Sequence, residues 1–138
     1  MRELEMHKMY MDIALRISEM SYDHRSKVGG LLVKDHNIIS FGWNGTPSGF
    51  DNTCQDEHGV TKPEVIHAEQ NILAKASRGT QSTIGSTLYV TLSPCWYCAG
   101  LIIQSGINEV VYYEKYRKSD AIDFLRKSGV IVTNFKKL

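Results

Sequence analysis

Hydrophobic and polar residues alternate with a helical period at the start of the chain. Apolar side chains recur every three or four residues between residues 4 and 20, which predicts an amphipathic helix; they are Met6, Tyr10, Ile13, Ala14, Ile17 and Met20. Two short apolar runs follow, at 28–33 and 38–43, with only the polar letters KDHN between them. This pattern predicts a β-hairpin.

The second half of the chain alternates between apolar runs of strand length and longer segments with helical spacing. The predicted strands are 87–92, 109–113 and 130–134, and the predicted helices are 65–78, 94–105 and 119–127. Ser93 is the predicted N-cap of the 94–105 helix, with Pro94 as its first residue. Strands that alternate with helices favour parallel pairing, whereas the hairpin is antiparallel. We therefore expect an α/β fold, a three-layer α/β/α arrangement around a mixed five-stranded sheet, as a single domain over 1–138.

A long polar segment interrupts this regular pattern. Residues 44–64 are rich in Gly, Pro, Asn and Asp, which predicts a loop rather than a helix or strand. Unstructured loops of this length are uncommon in small domains, and those that occur usually have a function or are disordered.

Composition and charge narrow the classes of function. The formal net charge is +1, so no overall field would attract nucleic acid or a membrane, and neither is expected as a partner. The chain has no apolar run long enough to span a bilayer and no signal-peptide core at its start. Its three cysteines are an odd number, which argues against a disulfide framework and for a reducing, cytoplasmic location.

Two of these cysteines, Cys95 and Cys98, are three residues apart at a predicted helix start. Side chains at this spacing share one helix face, and a helix N-terminus favours thiolates over thiols. One alternative is a redox pair in a thioredoxin-like unit, but there the motif would follow an early strand. Another is a four-ligand structural zinc, which would need a second Cys or His pair; Cys54 is the one cysteine left, and its neighbour His58 lies in the long loop.

The letters HAE at 67–69 supply the missing ligand. His67, Cys95 and Cys98 make three protein ligands, and three ligands with one open position are the layout of a catalytic zinc. Glu69 is not needed as a ligand and is free to move protons. H-x-E followed by P-C-x-x-C is the signature of zinc nucleobase deaminases. The rival from another class is a non-catalytic zinc-binding module, which would have no use for Glu69.

The sequence resembles the deoxycytidylate (dCMP) deaminases of the cytidine deaminase-like superfamily beyond this motif. The resemblance spans about residues 5–135 and includes RSKVGGLLVKDHNIISFGWNGTPSGFDNTC, HAEQNIL, TLYVTLSPCWYCAGLIIQSGI and VVYYEKYR. It implies the fold of that superfamily and zinc-dependent hydrolysis of dCMP to dUMP and ammonia, with dUMP passing to thymidylate synthesis. The alternative is a deaminase of another substrate: free cytidine, cytosine, or adenosine in transfer RNA.

The matching segments also suggest substrate contacts. Ser26, Lys27, Tyr116 and Arg117 are candidates for the phosphate, whose charge requires cationic or hydroxyl donors; the alternative for each is a solvated surface position. Asn44 directly follows a predicted strand and would contact the base or sugar of the substrate through its amide. The alternative is that Asn44 only stabilises the turn formed by its Asn-Gly pair. Trp96 and Tyr97 lie between the cysteines, and we expect packing roles for both; the alternatives are a wall of the substrate pocket or, for Trp96, a subunit interface.

Members of this family are typically homohexamers that dCTP activates and dTTP inhibits. Carried over to this chain, the resemblance assigns the effector site to the loop from Gly45 to Phe50 and to the helix that bears Asn71, with Mg²⁺ on the triphosphate.

Several relatives hold a second, structural zinc through a cysteine in the first strand. Gly29 and Gly30 stand in that strand here and supply no ligand. We therefore expect Cys54 to be a free thiol, rather than to join His58 in a second site.

Overall fold

A five-stranded sheet with four helices forms the molecule, whose computed structural model describes residues 2–118 and 120–138. The elements in chain order are α1 (Glu3–Ser18), β1 (Gly29–Lys34), β2 (Asn37–Trp43), α2 (Ala68–Ser77), β3 (Thr87–Leu92), α3 (Trp96–Gln104), β4 (Glu109–Glu114), α4 (Asp120–Lys127) and β5 (Ile131–Asn134). A short 3₁₀ turn, Phe135–Lys137, follows β5. Within the described residues, no helix combines the length and apolar character needed to cross a bilayer.

The sheet is mixed, in the order β2-β1-β3-β4-β5. β1 is antiparallel to both β2 and β3, whereas β3, β4 and β5 are mutually parallel and joined by α3 and α4. The predicted mixed five-stranded α/β architecture is therefore confirmed.

The core lies on both faces of the sheet because the central strands are apolar at successive positions. On one face, α1 packs through Tyr10, Met11 and Ala14 against Leu31 and Val111. On the other face, α2, α3 and α4 cover a larger cluster; its largest fully buried members are Leu32, Ile72, Leu88, Val90, Ile102, Val110 and Leu125. Burial of the sheet on both sides is typical of α/β proteins with crossover helices.

The hairpin between β1 and β2 turns at Asp35 and His36. Both residues have positive φ, 50° and 64°, the conformation that a two-residue hairpin turn of the mirror-image type requires. Aspartate tolerates this region better than most residues. The predicted hairpin is thus confirmed, with β2 starting one residue earlier than expected.

Helix starts and ends differ from the predicted ones. The third helix begins at Trp96, with Cys95 as its N-cap, so Ser93 and Pro94 precede the helix and the predicted cap at Ser93 is wrong. Instead, the Ser93 hydroxyl accepts a hydrogen bond from the backbone N–H of Tyr116 at 2.7 Å. α1 ends at Ser18, before Met20, and α2 begins at Ala68 rather than residue 65. The predicted start of the fourth helix, Ser119, lies outside the described residues.

One edge of the sheet brings together strand ends from its parallel and its antiparallel parts. β3 and β4 finish at this edge because they are parallel, and Gly29 at the start of β1 reaches it because β1 runs the opposite way. Gly29 pairs with Trp43, so β2 also finishes there. The segments that follow or precede these ends are therefore neighbours in space: 26–28, 44–45, 93–95 and 115–117.

Gly29 allows α1 to lie directly on β1. A Cβ at this position would stand 2.7 Å from the Ser18 Cα and 2.9 Å from the Ala14 carbonyl oxygen, both of which are backbone atoms that cannot rotate away.

Gly29→Ala should therefore lower the free energy of unfolding by about 2 kcal/mol or more. Gly100→Ala is the matched control: the space around Gly100 is open and the residue lies within α3, so alanine should raise stability by about 0.5 kcal/mol. Urea unfolding measures both, and equal effects would contradict the close approach.

Candidate metal centre and active site

An imidazole and two thiols meet at the sheet edge. The Nδ1 atom of His67 lies 3.5 Å from Cys95 Sγ and 3.4 Å from Cys98 Sγ. All three atoms lie within 4.8 Å of one another, and among the described residues no other group of three potential ligands comes this close. The structure thus brings together the three residues that the sequence singled out as ligands.

These distances suit a tetrahedral zinc ion. With Zn–S near 2.3 Å and Zn–N near 2.0–2.1 Å, a tetrahedral angle separates nitrogen from sulfur by about 3.6 Å. The observed 3.4 and 3.5 Å are close to that separation. One nitrogen and two sulfurs are also donors that zinc prefers, so the residues present fit the ion.

Two of the three ligand residues are helix N-caps. His67 precedes α2, where its backbone N–H donates to the Gln70 side chain at 2.8 Å, and Cys95 precedes α3, where its carbonyl accepts from Ala99 at 2.9 Å. Because cap residues have extended backbones, their side chains can leave the helix axis toward one another. Cys98 follows three residues after Cys95 and is buried, so its thiol lies on the interior side of the cluster.

Hydrogen bonding within the cluster shifts the pKa values of its three side chains. A hydrogen bond from Cys98 lowers the pKa of Cys95 to about 3, and the same bond, together with burial, raises the pKa of Cys98. Hydrogen bonding to Cys95 raises the pKa of His67, against the opposing effect of burial. Near neutral pH the cluster therefore contains a thiolate at Cys95 and retains a proton at Cys98.

Glu69 stands beside this cluster in the first turn of α2. Its side chain is only 5% exposed, which is unusual for a carboxylate. Burial raises the pKa of Glu69 to about 7, although its backbone hydrogen bond and the nearby His67 act in the opposite direction. A carboxyl group that titrates near neutrality can both accept and donate protons there.

A cavity of about 280 Å³ opens in front of these groups. His67, Glu69 and Cys95 line it, and so do three of the residues predicted to bind substrate: Ser26, Asn44 and Tyr116. Its apolar lining comes from Val28, Val65, Ala68 and Leu92. The cavity is therefore a mainly apolar space with a few convergent polar groups, as small-molecule sites usually are.

Two predicted phosphate contacts, Lys27 and Arg117, do not line this cavity. Both are exposed and directly follow a residue that does, Ser26 in one case and Tyr116 in the other. They therefore lie on the two segments that border the cavity opening, and their role in binding stays a prediction.

Asn44 already uses its amide to organise the cavity wall. Its side-chain nitrogen donates to the Ser26 carbonyl at 2.8 Å, and its side-chain oxygen accepts from the Val28 N–H at 2.9 Å. The Ser21 hydroxyl donates to the Asn44 carbonyl at 2.8 Å. Asn44 therefore ties the segment before β1 to the end of β2, whatever contact it makes with a ligand.

The residues assigned to an effector site lie along the loop after β2 and on α2. Gly45 pairs with Ile66 across the base of the loop, and Asn71 on α2 donates to the Trp43 carbonyl at 3.0 Å. Phe50 is exposed on the same loop. The structure joins Asn71 to the end of β2, and effector binding by these residues stays a prediction.

The aromatic residues between the cysteines differ from each other. Trp96 stacks on Phe124 of α4, with ring centroids 4.6 Å apart, although half of its surface remains exposed. Tyr97 is 80% exposed, so the packing role expected for it is wrong. At the first turn of α3, Tyr97 points away from the core because Cys98 and Ala99 occupy the buried face.

Cys54 lies apart from the metal cluster. It is 2% exposed, and its thiol donates to the Asn52 carbonyl at 3.5 Å. His58 contacts the neighbouring Glu57 at the surface instead. Cys54 forms no disulfide in the structure, and its exclusion from a second metal site stays a prediction.

Several cavity residues were not anticipated from the sequence. Asp23, Thr61 and Ser93 contribute polar groups to the lining. Ser93 lies close to the cysteines in the sequence, but the pattern there predicts a helix cap and not a cavity residue. Asp23 and Thr61 lie in polar segments with no periodic pattern, so only the position of the flanking strands identifies them.

The sequence also matches a model of a known family. Residues 4–114 match the model described as the cytidine and deoxycytidylate deaminase zinc-binding region, which is most of the chain. The chain belongs to this deaminase family.

Individual relatives agree with this membership. A deoxycytidylate deaminase of Enterobacteria phage T4 is 34% identical, over 92% of this chain and 88% of the relative. A deoxycytidylate deaminase of Homo sapiens is 35% identical, over 85% and 70%. The crystal structure of a dCMP deaminase from the cyanophage S-TIM5, in complex with dCMP and dUMP, is 46% identical, covers 93% of this chain and 95% of that one, and superposes with a TM-score of 0.90.

These likenesses confirm the fold and the class of reaction. The fold is that of the cytidine deaminase-like superfamily, as expected, and the chain is a hydrolytic deaminase. A non-catalytic zinc-binding module is thereby set aside. The deaminase family is zinc-binding, and the cluster of His67, Cys95 and Cys98 is where this member has the matching donors.

Zinc binding by this deaminase should release protons and strengthen as the pH rises. The pKa values of Cys98 and His67 are raised, which favours the protonated forms that compete with the ion for these two side chains. Zinc affinity, measured against a competing chelator, should therefore be at least about tenfold lower near pH 6 than near pH 8. The Cys54→Ser control should release as many protons as the natural sequence, since Cys54 lies outside the cluster. An affinity independent of pH would contradict these protonation states.

Proposed function

We propose that this deaminase converts dCMP and water to dUMP and ammonia. The observation that carries the proposal is that a buried carboxyl group, Glu69, lines one cavity of about 280 Å³ together with His67 and Cys95, two members of the three-ligand cluster. The similarity to a dCMP deaminase whose structure contains dCMP and dUMP supports this choice of substrate over a nucleoside, a free base or transfer RNA.

The proposed chemistry needs one group that moves protons. A zinc ion held by His67, Cys95 and Cys98 would supply a water molecule whose pKa is lowered toward neutrality. Glu69 accepts the proton that this water loses as it attacks the amino-bearing carbon, and protonates the adjacent ring nitrogen. Glu69 then removes the proton of the new hydroxyl group on that carbon and passes it to the amino group, which leaves as ammonia while the carbonyl of dUMP forms. A pKa of about 7, raised chiefly by burial, suits a carboxyl that must act in both directions.

Residues around the cavity opening would hold the nucleotide. Ser26 and Tyr116 line the cavity, and Lys27 and Arg117 stand next to them on the exposed rim. We assign these four to the phosphate, because a phosphate dianion is bound through cationic and hydroxyl donors. Asn44 would contact the sugar or base with the donor and acceptor capacity that its two backbone hydrogen bonds leave unused.

Regulation and assembly belong to the same proposal. By resemblance to the family, we propose a homohexamer that dCTP, with Mg²⁺, activates and dTTP inhibits through Gly45, Phe50 and Asn71. The hydrogen bond from Asn71 to Trp43 supports this placement, because it links α2, which carries Glu69, to the loop that carries Gly45 and Phe50. The dUMP product would feed thymidylate synthesis. Three free cysteines, two of them proposed ligands, suit a reducing, cytoplasmic environment.

Glu69→Gln should abolish turnover and leave zinc binding intact. The amide keeps the shape of the side chain but cannot accept the proton of the attacking water, so kcat should fall by at least about 100-fold. The measurements are ammonia release from dCMP and zinc content per chain. Glu64→Gln is the matched control, because Glu64 is an exposed carboxylate close by in sequence that lies outside the cavity lining. Normal turnover by the Glu69 variant would remove Glu69 from the proton-transfer role.

The phosphate should account for most of the substrate preference. We expect kcat/KM for dCMP to exceed that for deoxycytidine by about 100-fold or more, because charge-assisted hydrogen bonds to phosphate position the base. Arg117→Ala should reduce this advantage by about tenfold while leaving deoxycytidine unaffected. Lys115→Ala, which removes an equally exposed cation from the same segment, is the control. Equal rates on both substrates would exclude the assigned phosphate contacts.

A further inference from the structure

Two loop segments that lie outside the helices and strands contribute to the cavity lining. One is the turn at residues 23–26, which precedes β1 and contributes Asp23 and Ser26 to the lining. The other is a small irregular hairpin at residues 54–62, within the long loop, which contributes Thr61. The hairpin is closed by the pairing of Gln55 with Thr61 and by the hydrogen bond from the Lys62 N–H to the Cys54 carbonyl, 2.8 Å.

One buried carboxylate touches both segments. Asp23 is 6% exposed, and its Oδ1 atom accepts hydrogen bonds from the backbone N–H groups of Arg25, at 2.8 Å, and Ser26, at 3.1 Å. The same oxygen accepts from the side-chain amide of Gln55 at 3.3 Å. Asp23 therefore closes its own turn and binds the hairpin with a single oxygen.

Two further contacts pack the hairpin against the turn, but neither is a directional hydrogen bond. Cys54 is buried close to Asp23, whose charge adds to burial in raising the pKa of the thiol. The backbone of Gly59 lies so near Arg25 that a Cβ there would stand 2.8 Å from a guanidinium nitrogen. These are packing contacts, whereas the Asp23–Gln55 bond is a directional link between the two segments.

We propose that Asp23 is a positioning residue of the deaminase site, which sets the distance between the 23–26 turn and the 54–62 hairpin and thereby holds Ser26 and Thr61 at the cavity. This inference rests on the proposed function. Asp23 acts through the residues it orders rather than on the reacting atoms.

The first test separates substrate binding from chemistry. Asp23→Ala leaves two backbone N–H groups and the Gln55 amide without their acceptor, so KM for dCMP should rise by about tenfold while kcat changes by less than about twofold. Zinc content should not change, because Asp23 is not a ligand. Asp51→Ala is the matched control: Asp51 caps Thr53 in the same long loop at 2.8 Å but does not line the cavity, and its KM should stay normal. An unchanged KM for the Asp23 variant would overturn the proposal.

Asp23→Asn distinguishes positioning from direct contact with substrate. Asparagine retains an oxygen that can accept from the same backbone groups, so most of the normal KM should return. A KM as high as that of the alanine variant would mean that the charge itself meets the substrate, which contradicts the positioning role.

A double-mutant cycle with Gln55→Ala tests the link to the hairpin. Gln55→Ala alone should raise KM, but it should have little further effect in the Asp23→Ala background, because the interaction is already lost. Additive effects of the two substitutions on KM would contradict the interaction between Asp23 and Gln55. Should Asp23→Ala fail to fold, Gln55→Ala alone decides through the same KM measurement.

Hydrogen exchange tests the same link without depending on activity. Amides of residues 54–62 should exchange faster in Asp23→Ala and Gln55→Ala than in the natural sequence, with no change in β3. Unchanged exchange would contradict the link between the turn and the hairpin. If the natural sequence fails to deaminate dCMP, the proposed function fails, and the exchange experiment still decides whether Asp23 holds the hairpin.

Discussion

The site depends on the contact of one imidazole with two sulfurs at about the spacing of a tetrahedral metal site. Two of these residues, His67 and Cys95, are caps of different helices, so each side chain leaves a rigid element at its first turn. The position of the cluster is therefore set by how α2 and α3 dock on the sheet. Both sulfurs lie within hydrogen-bond distance of the His67 Nδ1 atom, 3.5 Å for Cys95 and 3.4 Å for Cys98.

The reversal of β1 supplies the other half of the site. In a wholly parallel sheet, crossover loops alone would surround the ends of β3 and β4. Here β1 is antiparallel to β3, and its start lies beside the end of β3, with Gly30 opposite Val90. The turn that precedes β1 thus becomes a wall of the cavity, facing the segment that carries Ser93 and Cys95. The hairpin partner, β2, brings Asn44 to the same edge.

The groups at the cavity differ in burial, and this difference suits the proposed chemistry. Glu69 is buried, which raises its pKa to about 7 and makes proton transfer in both directions feasible near neutral pH. Lys27 and Arg117 are exposed next to Ser26 and Tyr116, where, under the proposed function, solvent would hydrate a charged phosphate group. The proposal therefore assigns the buried carboxyl group to the base and the exposed cations to the phosphate.

The amino-acid sequence by itself determined the order of helices and strands, the hairpin, and the pairing of HAE with PCWYC. The helices and strands depend on short-range periodicity, which can be recognised without any knowledge of the fold. The two halves of the metal motif are 28 residues apart at His67 and Cys95, and the known deaminase signature connects them. Tertiary structure alone decided that Cys95 is an N-cap, that Tyr97 faces solvent, and that the Asn44 amide bonds the segment before β1. It also decided that Asp23 meets Gln55, 32 residues away in sequence. Contacts between irregular segments have no period, and they exist only because the strand ends bring those segments to one edge of the sheet.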